Sequence, residues 1–122
     1  MSIPLLDIFT AERLANDIGL CTACDHPSSH RRGFVLPSQR TVHLDRAIAT
    51  RSTLHRALHE VGHILNDKPG MRSFEREAGA ERYATQAMRA FGLTVPRRVT
   101  QIGAAYVARK KHHGDRIRAA RV

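Results

Sequence analysis

The run His59-Glu60-Val61-Gly62-His63 constrains this chain more than any other. Residues i and i+4 stand one above the other on a helix, so the two imidazoles can reach a single ion only if this stretch is helical. Glu60 is then rotated by about 100° from His59, beside such an ion rather than on it. A carboxylate there can take a proton from water that the metal has acidified.

The surrounding residues support a helix from Arg51 to Asp67. Leu54, Ala57, Leu58, Val61, Ile64 and Leu65 recur at helical spacing, while His55, His59, Glu60 and His63 fall on the opposite face. One side therefore packs on a core and the other displays the candidate ligands. Thr50 or Ser52 can cap the start, and Asn66-Asp67-Lys68-Pro69-Gly70 supplies a stop. The alternative is an ordinary amphipathic helix with solvated histidines. His-Glu-x-x-His on such a helix is the motif of zinc-dependent peptide hydrolysis.

A second helix with unusual chemistry is expected from about Ser73 to Phe91. Its apolar stripe comprises Phe74, Ala78, Ala80, Ala84, Ala87, Met88 and Phe91, and Glu77 and Glu81 lie inside that stripe. Two carboxylates on a buried face are costly without partners. A metal ion and a metal-bound histidine are the partners this sequence offers. Glu77 then becomes the third ligand, and two His with one Glu leave the fourth position of a zinc ion for water. Glu81, one turn on, can meet the other ring nitrogen of His59. Glu75 is an alternative ligand on a less suitable face. His55 is another, although three ligands at i, i+4 and i+8 on one straight helix do not readily converge. Carboxylates that instead pair with arginine at the helix edge are the structural alternative.

The 122 residues and 42% apolar content suit one domain with a modest core. There is no run of 18 apolar residues and no basic-then-apolar leader, so no membrane span or signal peptide is expected and the protein is read as cytoplasmic. Its two cysteines are then expected to be reduced or metal-bound. Cys21 and Cys24, with His26 and His30, could form a small second metal site, but the short insert favours a polar loop. The net charge of +9 permits nucleic acid or an acidic partner.

The remaining chain supplies the frame. Residues 3 to 20 read as a first helix stopped by Gly19. Gly33 to Asp45 reads as a hairpin, with Phe34-Val35-Leu36 and Thr41-Val42-His43-Leu44 as its strands. Its edge could pair with an extended peptide. Thr94-Val95-Pro96 starts a fourth helix whose Val99, Ile102, Ala105 and Tyr106 are expected to close the core. Residues 109 to 122 form a basic tail, expected to be solvated or frayed, without aromatic residues for stacking on bases. The fold class is therefore α+β: about four helices with a short hairpin beside the motif helix.

The segment from Gly33 to Met88, nearly half of the chain, resembles the ImmA/IrrE family of metallo-endopeptidases, in particular its short phage and mobile-element members. The matching residues are Arg32-Gly33 and Leu44-Asp45 around the hairpin, Arg51-Ser52-Thr53-Leu54 leading into His59-Glu60-Val61-Gly62-His63, and Glu77-Ala78-Gly79-Ala80-Glu81-Arg82-Tyr83-Ala84. The resemblance implies a minimal thermolysin-like (zincin) core. It implies one Zn2+ per chain held by His59, His63 and Glu77, with Glu60 as base, and a helix-turn-helix repressor or similar regulator as substrate. Two positions depart from the family. Glu81 stands where Asp or Asn is usual, and Leu58 stands where Ala is common. A tetrahedral oxyanion would need a donor besides the metal; Tyr83, Tyr106, His55 and His43 are the candidates. The rival expectation is a non-catalytic zinc-binding regulator that holds a repressor, an antitoxin-like protein or DNA through its basic surface.

Overall fold

The computed structural model describes residues 4–21, 34–36, 40–44 and 47–120. They form α1 (Leu5–Ala15), β1 (Gly19–Cys21), β2 (Phe34–Leu36), β3 (Thr41–His43), α2 (Arg51–Asn66), α3 (Ser73–Ala90) and α4 (Arg97–Ala120). The fold is α+β, with four helices and one small three-stranded sheet.

The first helix is shorter than its apolar spacing suggests. Asp17 adopts a left-handed backbone with φ 55°. The Ile18 N–H donates to the Arg13 carbonyl at 2.9 Å and the Asp17 N–H to the Leu14 carbonyl at 3.2 Å. These bonds end the helix in a Schellman motif, which frees Ile18 to enter the core. The left-handed residue is thus Asp17, not Gly19. Gly19 opens β1, a strand that the sequence reading placed inside the helix. Its N–H donates to the Arg40 carbonyl at 2.8 Å.

The hairpin of β2 and β3 is antiparallel, with Val35 opposite Val42, and β1 adds in parallel on the other side of β3, with Leu20 opposite Val42. The strand order is therefore β1-β3-β2. Cys21 ends β1 and is disulfide-bonded. This corrects the expectation of a reduced or metal-bound thiol, because a disulfide sulfur has no thiolate to offer a metal. Cys24, His26 and His30 lie outside the described residues, as do Arg32, Gly33 and Asp45.

Helix α2 begins where Thr50 and Thr53 cap each other. The Thr53 N–H donates to the Thr50 hydroxyl at 3.2 Å and the Thr50 N–H to the Thr53 hydroxyl at 2.9 Å. Leu54, Ala57, Leu58 and Val61 are fully buried against Ile8, Phe9, Ile18, Val42, Ala84 and Met88. Leu58 thus fills core volume. Gly62 lies where α2 and α3 touch. A Cβ on it would sit 2.9 Å from the Ala80 Cα, so the two helices approach each other backbone to backbone.

Helix α4 packs on α3 without closing the core as expected. Its buried residue is Gly103, whereas Ile102 stays 51% and Tyr106 37% exposed. The helix continues through the basic stretch to Ala120. Among the described residues no helix is long and apolar enough to cross a membrane.

Candidate metal centre

Two features of the backbone build the site. The i, i+4 spacing brings His59 and His63 to one face of α2, and the turn through Gly70, with φ 87°, reverses the chain so that α3 runs back alongside. The close approach at Gly62 then lets the short side chain of Glu77 reach both imidazoles.

The Nε2 atoms of His59 and His63 are 3.1 Å apart. Glu77 Oε2 lies 3.0 Å from His59 Nε2, and Glu77 Oε1 lies 3.4 Å from His63 Nε2. A tetrahedral ion with bonds of about 2.0–2.1 Å separates its ligand atoms by about 3.3 Å. Each nitrogen thus lies near that spacing from the other nitrogen and from one oxygen of Glu77, a different oxygen for each, and one ligand atom from each residue lies within 4.8 Å of the others. The three residues could hold a metal ion, and they are the only such group of His, Cys, Asp and Glu among the described residues. Glu75, the alternative ligand, is exposed and faces Arg72 at 3.8 Å.

Both ligand imidazoles have a carboxylate at the remaining nitrogen. Glu81 Oε1 is 2.8 Å from His59 Nδ1. The approach is oblique for an N–H···O bond, yet the short contact favours a charged imidazole and an ionised Glu81. His63 Nδ1 lies 3.0 Å from Asp67 Oδ2 and 3.2 Å from Oδ1. Such carboxylates orient an imidazole and raise its basicity as a ligand. Asp67 was missed in the sequence, where it was read only as a helix stop. Its position four residues after His63 was the available signal. Glu81 fits despite its extra methylene because Gly103 of α4 leaves room; any Cβ on Gly103 would overlap the Glu81 carboxylate.

The metal-free cluster is electrostatically tense. Burial disfavours a charged His59, but Glu77, Glu81 and Glu60 more than offset this and raise its pKa to about 9. Burial opposes ionisation of Glu77 too, yet the two imidazoles hold its carboxyl far below the usual carboxylate range. With the two Nε2 atoms so close, both cannot carry a proton there. One imidazole carries it and the other accepts.

Glu60 is 5% exposed, and burial pushes its pKa up. The Arg56 Nε lies 3.7 Å from its Oε1. His55 is buried one turn before the ligands, with Nε2 3.2 Å from the Thr85 hydroxyl and 3.8 Å from Glu81 Oε2. It takes no place in the ligand cluster, as the straightness of α2 requires. His43 is buried on the central strand. Tyr83 turns away from the ligands, and its hydroxyl donates to Glu12 of α1. Burial and that carboxylate hold its phenol above the ordinary value. Tyr106 shares a cavity with His59, and its hydroxyl makes no hydrogen bond among the described residues.

No protein-family model matches the chain, and neither curated proteins nor solved structures show a match.

Proposed function

We propose that the protein is a zinc-dependent endopeptidase with a minimal zincin-like core. The observation that carries this reading is a cluster from two helices, two imidazole nitrogens 3.1 Å apart with one oxygen of the Glu77 carboxylate 3.0 Å from the first and the other 3.4 Å from the second, and a buried carboxylate, Glu60, one residue from a ligand. His59, His63 and Glu77 would hold the ion. A zinc ion held there would supply Lewis acidity.

The other roles fall to the chain's own groups. Glu60 accepts a proton from the attacking water and delivers it to the departing amine nitrogen. Its burial raises its basicity for that purpose, and Arg56 keeps the carboxylate in place. Glu81 and Asp67 hold the ligand imidazoles from behind. Tyr106, which shares a cavity with His59, is our candidate for the oxyanion donor; Tyr83 is committed to Glu12, and His55, which lines the same cavity, is engaged by Thr85. The resemblance to ImmA/IrrE endopeptidases supports a repressor-like regulatory protein as substrate.

Elemental analysis of protein purified without a metal-affinity step tests the reading. About one zinc per chain is expected, lost or sharply weakened in His59→Ala and Glu77→Ala. Glu60→Gln is expected to keep the zinc and to lose about 100-fold or more of the turnover. Absence of zinc even after its addition, or unchanged turnover by Glu60→Gln, would refute it.

A further inference from the structure

The cavity that touches His59 extends away from the ligand cluster along α2. On that helix Ser52, Arg56, His59 and His63 follow at steps of four, three and four, which is one continuous face. The first three line a cavity of about 340 Å³, and the next carries the metal site. The cavity is thus the N-terminal continuation of the face that holds the ligands. Its volume is near the lower bound of ligand pockets, which start at about 300 Å³, and suits a large side chain rather than a whole domain.

Its two side walls are largely apolar, two arginines stand at it, and Thr53, His55 and Glu81 also line it, Glu81 being paired with His59. Leu44 and Ile48 form one wall; Val99, Ile102 and Tyr106 of α4 form the other. Ile102 and Tyr106, one helical turn apart, are left 51% and 37% exposed there. Arg56 and Arg109 stand at the cavity. Arg56 shares its charge with Glu60, but Arg109 has no carboxylate partner among the described residues, and its guanidinium rests 5.8 Å from the Tyr106 ring centre. Beyond it α4 remains basic, with Lys110, Lys111, Arg116 and Arg118 against Asp115. A largely apolar hollow that opens onto Arg109 and the basic face of α4 fits an apolar group embedded in negative charge. It disfavours a cationic segment at close range.

We propose that this cavity recognises an acidic segment of the protein partner, with one large apolar side chain filling the hollow and flanking carboxylates meeting Arg109 and the basic face of α4. The inference deepens the peptidase reading by naming the substrate class, and it rests on that reading only for the fate of the segment once bound.

The test uses full-length, zinc-loaded Glu60→Gln protein and three fluorescein-labelled decapeptides, followed by fluorescence anisotropy. One peptide has a central Leu among Glu residues, the second has Lys in place of Glu, and the third has Ser in place of Leu. The first is expected to bind at least about tenfold more tightly than the others, and Arg109→Glu and Ile102→Ser are each expected to weaken it by about tenfold. Both positions are exposed, and circular dichroism checks that the variants stay folded. Equal binding of the three peptides, or no effect of both substitutions, overturns the proposal. The unsubstituted protein separates the two readings. If it leaves the tightly bound peptide intact, the pocket stands and the peptidase reading fails; if it cuts all three peptides equally, the pocket fails and the peptidase reading stands.

Discussion

The metal-free protein is expected to lose stability as pH rises from 6.5 to 9. The cause is the proton held by the ligand cluster. His59 is 3% exposed, and its pKa is raised from 6.5 to about 9 by carboxylates it meets only in the folded chain. A raised folded-state value stabilises fully below the unfolded value and is lost as pH climbs through the folded one. At about 1.4 kcal/mol per pH unit, the interval from 6.5 to about 9 corresponds to about 3 kcal/mol. Glu77 describes the same contact from its other side. Its lowered pKa gives stability that is present above 4.5 and lost as pH falls, so the energy is counted once. The metal-free optimum therefore lies between about pH 4.5 and 6.5. With an unfolding entropy of about 2.1 cal/mol/K per residue, about 3 kcal/mol is about 12 °C of Tm for 122 residues. Zinc inverts this behaviour, because it needs both imidazoles unprotonated. Its apparent affinity should rise about tenfold per pH unit between 6.5 and 9. Thermal melts in EDTA and in excess zinc, taken at half-unit steps, should diverge across that window. An EDTA curve that stays flat from 6.5 to 9, or one that His59→Gln leaves unaltered, would refute the account.

Three substitutions probe the supports around the cluster. Asp67→Asn should weaken zinc by about 10–100-fold while the protein stays folded, read by competition with a chelating dye; unchanged affinity would remove Asp67 from the site. Gly103→Ala should push Glu81 off His59 and weaken zinc by a similar factor of about 10–100, and adding Glu81→Asp should recover part of the loss by shortening the displaced side chain. Gly62→Val should cost about 1–3 kcal/mol or more in urea melts, because α2 and α3 cannot approach past the added methyls; a cost near zero would mean that the helices slide freely at Ala80.

The helices that carry chemistry were legible because their signals are local and periodic. The capping residue Thr50, the apolar stripe of α2 and the acidic pair inside the stripe of α3 each follow from spacing along one helix, and the structure sets those helices within a residue or so of the expected bounds. The end of α1 was not legible. Leu14 and Ile18 sit at helical spacing, but a left-handed Asp17 costs less than leaving Ile18 in water, and that preference exists only once a core is there to receive it. Strand β1 was hidden for the same reason, since three residues show no alternation and gain their hydrogen bonds from β3.

By itself, the sequence determined which side chains could bind a metal and which face of each helix they occupy, because 3.6 residues per turn is a property of the backbone alone. Tertiary structure decided how the ligands meet. The separations of 3.0–3.4 Å among His59, His63 and Glu77 depend on the glycine contact between α2 and α3. The reach of Glu81 depends on the empty side of Gly103 in α4, a helix that starts only at Arg97, after the whole of α3. Distances between helices are set by what lies in the interface, and no spacing along one chain segment encodes the width of the gap to another.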